Sequence, residues 1–161
     1  MANWRKYIFE NDDEAAAQIM LAANYGGKAI NITQTTAAHA FSYKITSMYK
    51  LPHGHAVAVC LPVIWRYMLE NMDGCIDRRG KNYLSGIFEE ISKAMGCKNV
   101  EQAIDVFCGI MRELDLNSPV SDSKEEDMII LSSSVNPVRL KNNPVELKEL
   151  VINGLYSKIV K

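Results

Sequence analysis

Thr33-Gln34-Thr35-Thr36-Ala37-Ala38-His39-Ala40-Phe41-Ser42-Tyr43-Lys44, followed shortly by Leu51-Pro52-His53-Gly54-His55, decides how this chain is read. Apolar residues recur there at helical spacing, so a helix is predicted from about Thr33 to Tyr49, stopping before Leu51-Pro52. Pro-His-Gly reads as a proline-stiffened turn. After it, about His55 to Asn71 reads as a deeply buried apolar helix, with Pro62 predicting a kink or break. One imidazole is thus delivered by a helix and a second is returned by the turn behind it.

The rest of the chain extends the same pattern. Strand signals are nearly absent and helical periodicity runs almost throughout. A stub with Trp4, Tyr7 and Ile8 on one face stands behind Asn3 as a possible cap. Asp12 and Asp13 then open an alanine-rich helix from Glu14 to about Ile30, acidic at the positive end of its dipole. Gly26-Gly27 interrupts it, which implies close packing against a neighbour. Asp73 to Lys81 reads as a loop, and helices are predicted at about Tyr83 to Met95 and Val100 to Leu114, the latter capped by Asn99. Ser118 to Ser123 reads as a polar loop and Lys124 to Ser133 as a short helix or helical turn. Asn143-Pro144 predicts the start of a last helix running to about Tyr156. The expected fold is all-α: one domain over residues 1–161 with about seven helices.

Composition narrows the function. With 161 residues and a formal net charge of -1, the chain is long enough for one core and offers no basic field for nucleic acid. Cys60, Cys75, Cys97 and Cys108 form no Cys-x-x-Cys pair, so they read as reduced thiols of a cytoplasmic protein. The longest apolar run, Ala56 to Trp65, is half a membrane span, and no signal-peptide pattern opens the chain. No phosphate loop or nucleophile elbow is present, since Gly26-Gly27-Lys28 lacks the flanking strand.

His39 and His53 are a sensible half-shell for a metal held through neutral imidazole nitrogens, although such sites want three or four protein ligands. The plainer reading makes His39 a satisfied core histidine and His53 a cap for the next helix. His55 at a helix start reads as solvated. The methionines and the Glu89-Glu90 and Glu125-Glu126-Asp127 clusters read as core filler and solvated faces.

From about Asn24 to Asn71 the chain resembles the C-terminal helical domain of the iron-dependent (group III) alcohol dehydrogenases, with their dehydroquinate synthase-like α domain. His39 and the His53 of Pro52-His53-Gly54 match two metal-ligand positions at the family's spacing, and Tyr43 stands where relatives carry a histidine near the nicotinamide. The match continues through Leu61-Pro62, Arg66-Tyr67 and Asn143-Pro144. The family's nucleotide-binding domain with its Gly-Gly-Gly-Ser loop is not matched. Nor are the aspartate and histidine that complete its metal shell, so the chain is expected to be the back part of such an enzyme, truncated at its N-terminus.

The resemblance implies an oxidoreductase acting on a small alcohol or aldehyde, with Fe(2+) or Zn(2+) held by His39 and His53 and NAD(P) as hydride carrier. For this chain alone it implies no tightly bound cofactor and no activity. A homo-oligomer and a separate nucleotide-binding chain are the implied partners. Thr33-Gln34-Thr35-Thr36 and His55 are similar to members that reduce phosphonate-bearing aldehydes, where Lys44 or His55 would meet the anionic group. Tyr43 would stand near the substrate or simply be a packed tyrosine. The competing expectation is a non-catalytic helical module for oligomerisation or partner binding, derived from such an enzyme.

Overall fold

The computed structural model describes residues 3–161, in two compact units, Met1–Thr35 and Thr36–Lys161. Among the described residues there are nine α-helices and no strand, only an isolated antiparallel bridge between Cys75 and Val145. No helix among them is long and apolar enough to cross a membrane. The all-α expectation therefore holds, with more helices than the seven expected because two short ones are added.

The first unit holds α1 (Trp4–Glu10) and α2 (Asp13–Thr33). Asn11 takes a left-handed conformation between them, and Asp12 caps α2 by accepting from the Ala15 N–H at 2.7 Å. The cap expected at Asn3 is not made by its side chain. Two further expectations are corrected. Gly26 and Gly27 do not mark a tight contact, since a Cβ at either would meet nothing within 4 Å. Nor does the next helix begin at Thr33: α2 runs on to that residue and ends at Gln34, whose φ of 63° no helix accepts.

The second unit is built on α3 (Ala37–Tyr49) and α4 (His53–Glu70), which pack on each other more extensively than any other helix pair. Ala37, Phe41 and Ile45 recur every fourth residue, as do Ala56, Cys60 and Ile64, and all six are buried. That spacing puts each set on one stripe, and the two stripes face one core. α4 begins two residues earlier than expected and runs through Pro62 without ending. Burial of the surrounding aliphatics offsets the missing backbone bond.

α5 (Lys81–Ala94) and α6 (Val100–Glu113) follow, with Gly80 and Gly96 at positive φ before and after α5. Asn99 caps α6 as expected, accepting from Gln102. α7 (Lys124–Ser134), α8 (Pro137–Leu140) and α9 (Glu149–Ile159) complete the unit. The last helix does not start at Asn143-Pro144. Ile76 donates to the Pro144 carbonyl and Glu146 to that of Gly74, so this stretch is pinned beside the loop after α4. The asparagine–proline start occurs instead at Asn136-Pro137, where the Asn136 side chain accepts from Val138 and opens α8.

Tyr156 of α9 closes the core. Its ring stacks on Phe41 with centroids 4.5 Å apart, and its buried hydroxyl donates to the Phe41 carbonyl at 3.1 Å. Burial pushes its phenol above the ordinary value. Phe41→Ala should therefore cost about 3–5 kcal/mol of stability through the cavity it leaves. Tyr156→Phe keeps the stack and should cost only about 1 kcal/mol. Urea unfolding of both variants checks this, and equal losses would contradict it.

Candidate metal centre

The turn between α3 and α4 sets the geometry of the site. Lys50 adopts φ 56°, a left-handed end to α3, and Pro52 stands just before α4. The connection is only three residues, Lys50 to Pro52, and the second helix starts on His53 itself. His39 and Tyr43 lie four residues apart on α3, hence on one face. The hairpin brings that face to His53.

The two imidazoles meet. His53 Nε2 lies 3.3 Å from His39 Nδ1, with ring centroids 5.3 Å apart and planes at 53°. At that distance two lone pairs cannot face each other without something positive between them. A proton on one ring supplies it, and so would a cation. His39 is half-buried and His53 exposed. Desolvation first, then the neighbouring His53 and Arg139, hold the His39 imidazole below its ordinary value of 6.5. His39 thus favours its neutral form, the form that binds metals.

Nitrogen ligands about 2.0–2.1 Å from a tetrahedral metal lie about 3.3–3.4 Å from each other. The observed separation matches one edge of such a shell. It is an edge only: among the described residues no group of three or more His, Cys, Asp or Glu side chains could hold an ion. The pair therefore fits two adjacent positions of a shell, not a whole one.

Tyr43 flanks the pair. Its ring stacks on His53 at 5.2 Å and 21°, so it is neither a core tyrosine nor free in solvent. Arg139 of α8 also meets it: its guanidinium lies 4.7 Å from the Tyr43 ring centre and donates to the Tyr43 hydroxyl at 2.8 Å. The sequence reading missed Arg139. It is 96 positions from Tyr43, and nothing in its own neighbourhood signals the contact.

The other candidate positions are not gathered here. His55 turns its Nε2 to the Asn117 carbonyl at 2.8 Å and ties α4 to the loop after α6. Lys44 follows Tyr43 and so stands about 100° further round α3. Cys60 is fully buried and its thiol is pushed up by desolvation, which leaves it inert.

Residues 1–160 match the family described as Fe-containing alcohol dehydrogenase family, C-terminal. Phosphonoacetaldehyde reductase of Streptomyces viridochromogenes is 34% identical over 62% of this chain and 26% of its own length. A probable mitochondrial hydroxyacid-oxoacid transhydrogenase of Dictyostelium discoideum is 34% identical over 35% of the chain and 13% of its own length. The chain thus spans about a quarter or less of these relatives. Among solved structures, an archaeal halo-thermophilic alcohol dehydrogenase from a Red Sea brine pool, bound to NZQ, superposes with TM-score 0.78. It is 24% identical over 96% of this chain and 40% of its own. Sulfoacetaldehyde reductase of Bifidobacterium kashiwanohense, in complex with NAD+, gives TM-score 0.62 at 23% identity over 78% of this chain and 31% of its own. These two likenesses establish the fold.

The depressed imidazole has a sign that can be checked. Because the folded value of His39 lies below 6.5, the unfolded chain binds more protons between the two values. The stability contributed by keeping His39 neutral is whole above 6.5 and is lost as pH falls from there towards the folded value. Titration of the ring protons by NMR should place the His39 midpoint below 6.5, and Arg139→Gln should raise it. A wild-type midpoint at or above 6.5 would contradict the assignment.

Proposed function

Since the chain belongs to the Fe-containing alcohol dehydrogenase family, C-terminal, we propose that it is the metal-binding part of an iron-dependent, NAD(P)-linked alcohol dehydrogenase or aldehyde reductase. The 3.3 Å approach of His39 and His53 carries this reading. His39 and His53 hold two neighbouring positions on a divalent iron or zinc ion, which when bound supplies Lewis acidity to an alcohol or carbonyl oxygen. The remaining ligands and the nicotinamide come from outside these residues.

The chain's own part is to hold and orient. Burial keeps His39 neutral and ready to ligate. Tyr43 fixes the plane of His53 by stacking on it, and Arg139 fixes Tyr43 by its hydrogen bond and its place against the ring. Tyr43 is thus a positioning residue with one face towards the metal pair. The relatives named for phosphonoacetaldehyde and sulfoacetaldehyde support a small aldehyde bearing an acidic group as the substrate. Alone, the chain turns over nothing, since holding the nicotinamide over the substrate carbon is worth roughly 7–11 kcal/mol of barrier.

One observation favours a second reading, a helical module for self-association. In α2, Met20, Leu21, Tyr25, Ile30 and Ile32 are all exposed, Ile32 to 81%. Exposed apolar residues in such number on one helix suit an interface. The two readings are compatible if the intact enzyme is an oligomer.

Titration with Co(2+) or Zn(2+), followed by absorption and calorimetry, tests the first reading. The wild-type chain should bind weakly and lose the ion to a mild chelator, because two neutral ligands leave most of the shell to water. His39→Ala or His53→Ala should remove the binding, whereas Tyr43→Phe should keep the ion within about tenfold of wild-type affinity. Metal binding untouched by either histidine substitution would overturn the assignment.

A further inference from the structure

Arg139 differs from Arg66 and Arg79 in what holds its guanidinium. The guanidinium of Arg66 meets Asp105 at 2.7 Å and that of Arg79 meets Asp77 at 2.8 Å, each neutralised by a carboxylate. Arg139 has no such carboxylate among the described residues. Its bonding partner is the hydroxyl of Tyr43, and its central carbon lies 4.7 Å from the centre of the Tyr43 ring. A guanidinium carries five N–H donors in a planar fork, and one phenol oxygen uses a single donor. The rest of the fork meets no acceptor among the described residues, and the side chain is exposed.

Tyr43 is left with a donor as well. Its oxygen accepts from Arg139, so its own O–H is available to a second acceptor. The fork and the phenol proton are 2.8 Å apart at their heavy atoms, close enough to converge on one small oxyanion. This pairing suits a phosphonate, sulfonate or carboxylate: bidentate charge-assisted bonds from arginine, and one more from a hydroxyl. The site is also close to the metal pair. Only two steps, guanidinium to Tyr43 ring at 4.7 Å and Tyr43 ring to His53 ring at 5.2 Å, lead from Arg139 to the imidazole.

We propose that Arg139 and the Tyr43 hydroxyl form the subsite for the acidic group of the substrate, making Arg139 the specificity-determining residue. This rests on the functional reading above for the word substrate, but the anion site itself does not require the metal. The residues first suggested for the role are less suited to it. His55 is already engaged with Asn117, and Lys44 leaves α3 on a different side from the histidine pair. A helix of four residues, α8, carries Arg139. The contact with Tyr43 is therefore what places its guanidinium, and the recognition geometry is fixed by α3.

The test uses the metal-free chain and four probes: methylphosphonate, methanesulfonate, acetate and the neutral N-methylacetamide. Binding is followed through the ring protons of Tyr43 and His53 in two-dimensional NMR, at low and high salt. The three anions should give saturable shifts, strongest for methylphosphonate and weakened by salt, and N-methylacetamide should give none. Arg139→Gln should weaken methylphosphonate at least about tenfold. Arg139→Lys should lose less, because it keeps the charge while losing the fork. Lys44→Gln and His55→Gln should stay within about twofold of wild type.

An absence of saturable anion shifts in the wild type, an unchanged affinity in Arg139→Gln, or an equal loss in Lys44→Gln would each overturn the proposal. A zinc titration of the same samples separates it from the metal reading. Arg139→Gln should keep the zinc response, and His39→Ala should lose it while still binding methylphosphonate. Anion binding with no zinc response in any sample would sink the metal assignment and leave the anion site standing.

Discussion

Everything at the candidate site depends on how the chain turns between Tyr49 and His53. Lys50 must adopt a left-handed conformation, φ 56°, to end α3, which a residue with a Cβ does at some cost. Pro52 then enters with its φ already near the value that precedes a helix, so less entropy is lost on folding the turn. The return is so abrupt that the first residue of α4 faces the first turn of α3. Phe41, Ile45, Ala56 and Cys60, all completely buried, hold the two helices together behind it. The imidazole spacing of 3.3 Å therefore rests on the packing of the hairpin, rather than on contacts among the polar groups.

That arrangement places cationic groups side by side. His39 and His53 are in contact, and Arg139 stands behind Tyr43 with no carboxylate beside it among the described residues. Protonating both rings would set two positive charges against each other and against the guanidinium. Burial first, then the neighbouring His53 and Arg139, disfavour charge on His39. The region is thus poised to hold one positive charge between the rings and to accept negative charge near Tyr43. A metal cation with an anionic substrate, as proposed above, would meet both demands at once.

Much of the fold was legible because helices are local. Apolar residues at every third and fourth position found α3 to α7, and Asn99 marked the start of α6 by a bond to a residue three positions away. Failures came where distant parts of the chain decide. Asn143-Pro144 carries the residues of a helix start, but the Cys75 segment is available to pair with it, and Asn143 is buried there with its side chain donating to the Val145 carbonyl. The same dipeptide at Asn136-Pro137 has no such competitor and does start a helix. Gly26-Gly27 failed differently. Glycines in a helix imply either a close neighbour or tolerance, and sequence alone does not separate the two.

The site divides along the same line. His39 and His53 were readable because the hairpin that joins them is a local object, spanned by one turn. Tyr43 was readable as a neighbour of His39 on one helical face, though its stacking on His53 was not. Arg139 was invisible, since its contact with Tyr43 needs α8 to be carried back across the unit by the segment after α7. Its placement is set by Asn136 capping α8 and by the pinning of Asn143 to Glu146 beside Gly74 and Ile76. The feature misread as a helix start thus bounds the segment that delivers the arginine. Local sequence supplies the paired imidazoles, and long-range packing supplies the charge that stands beside them.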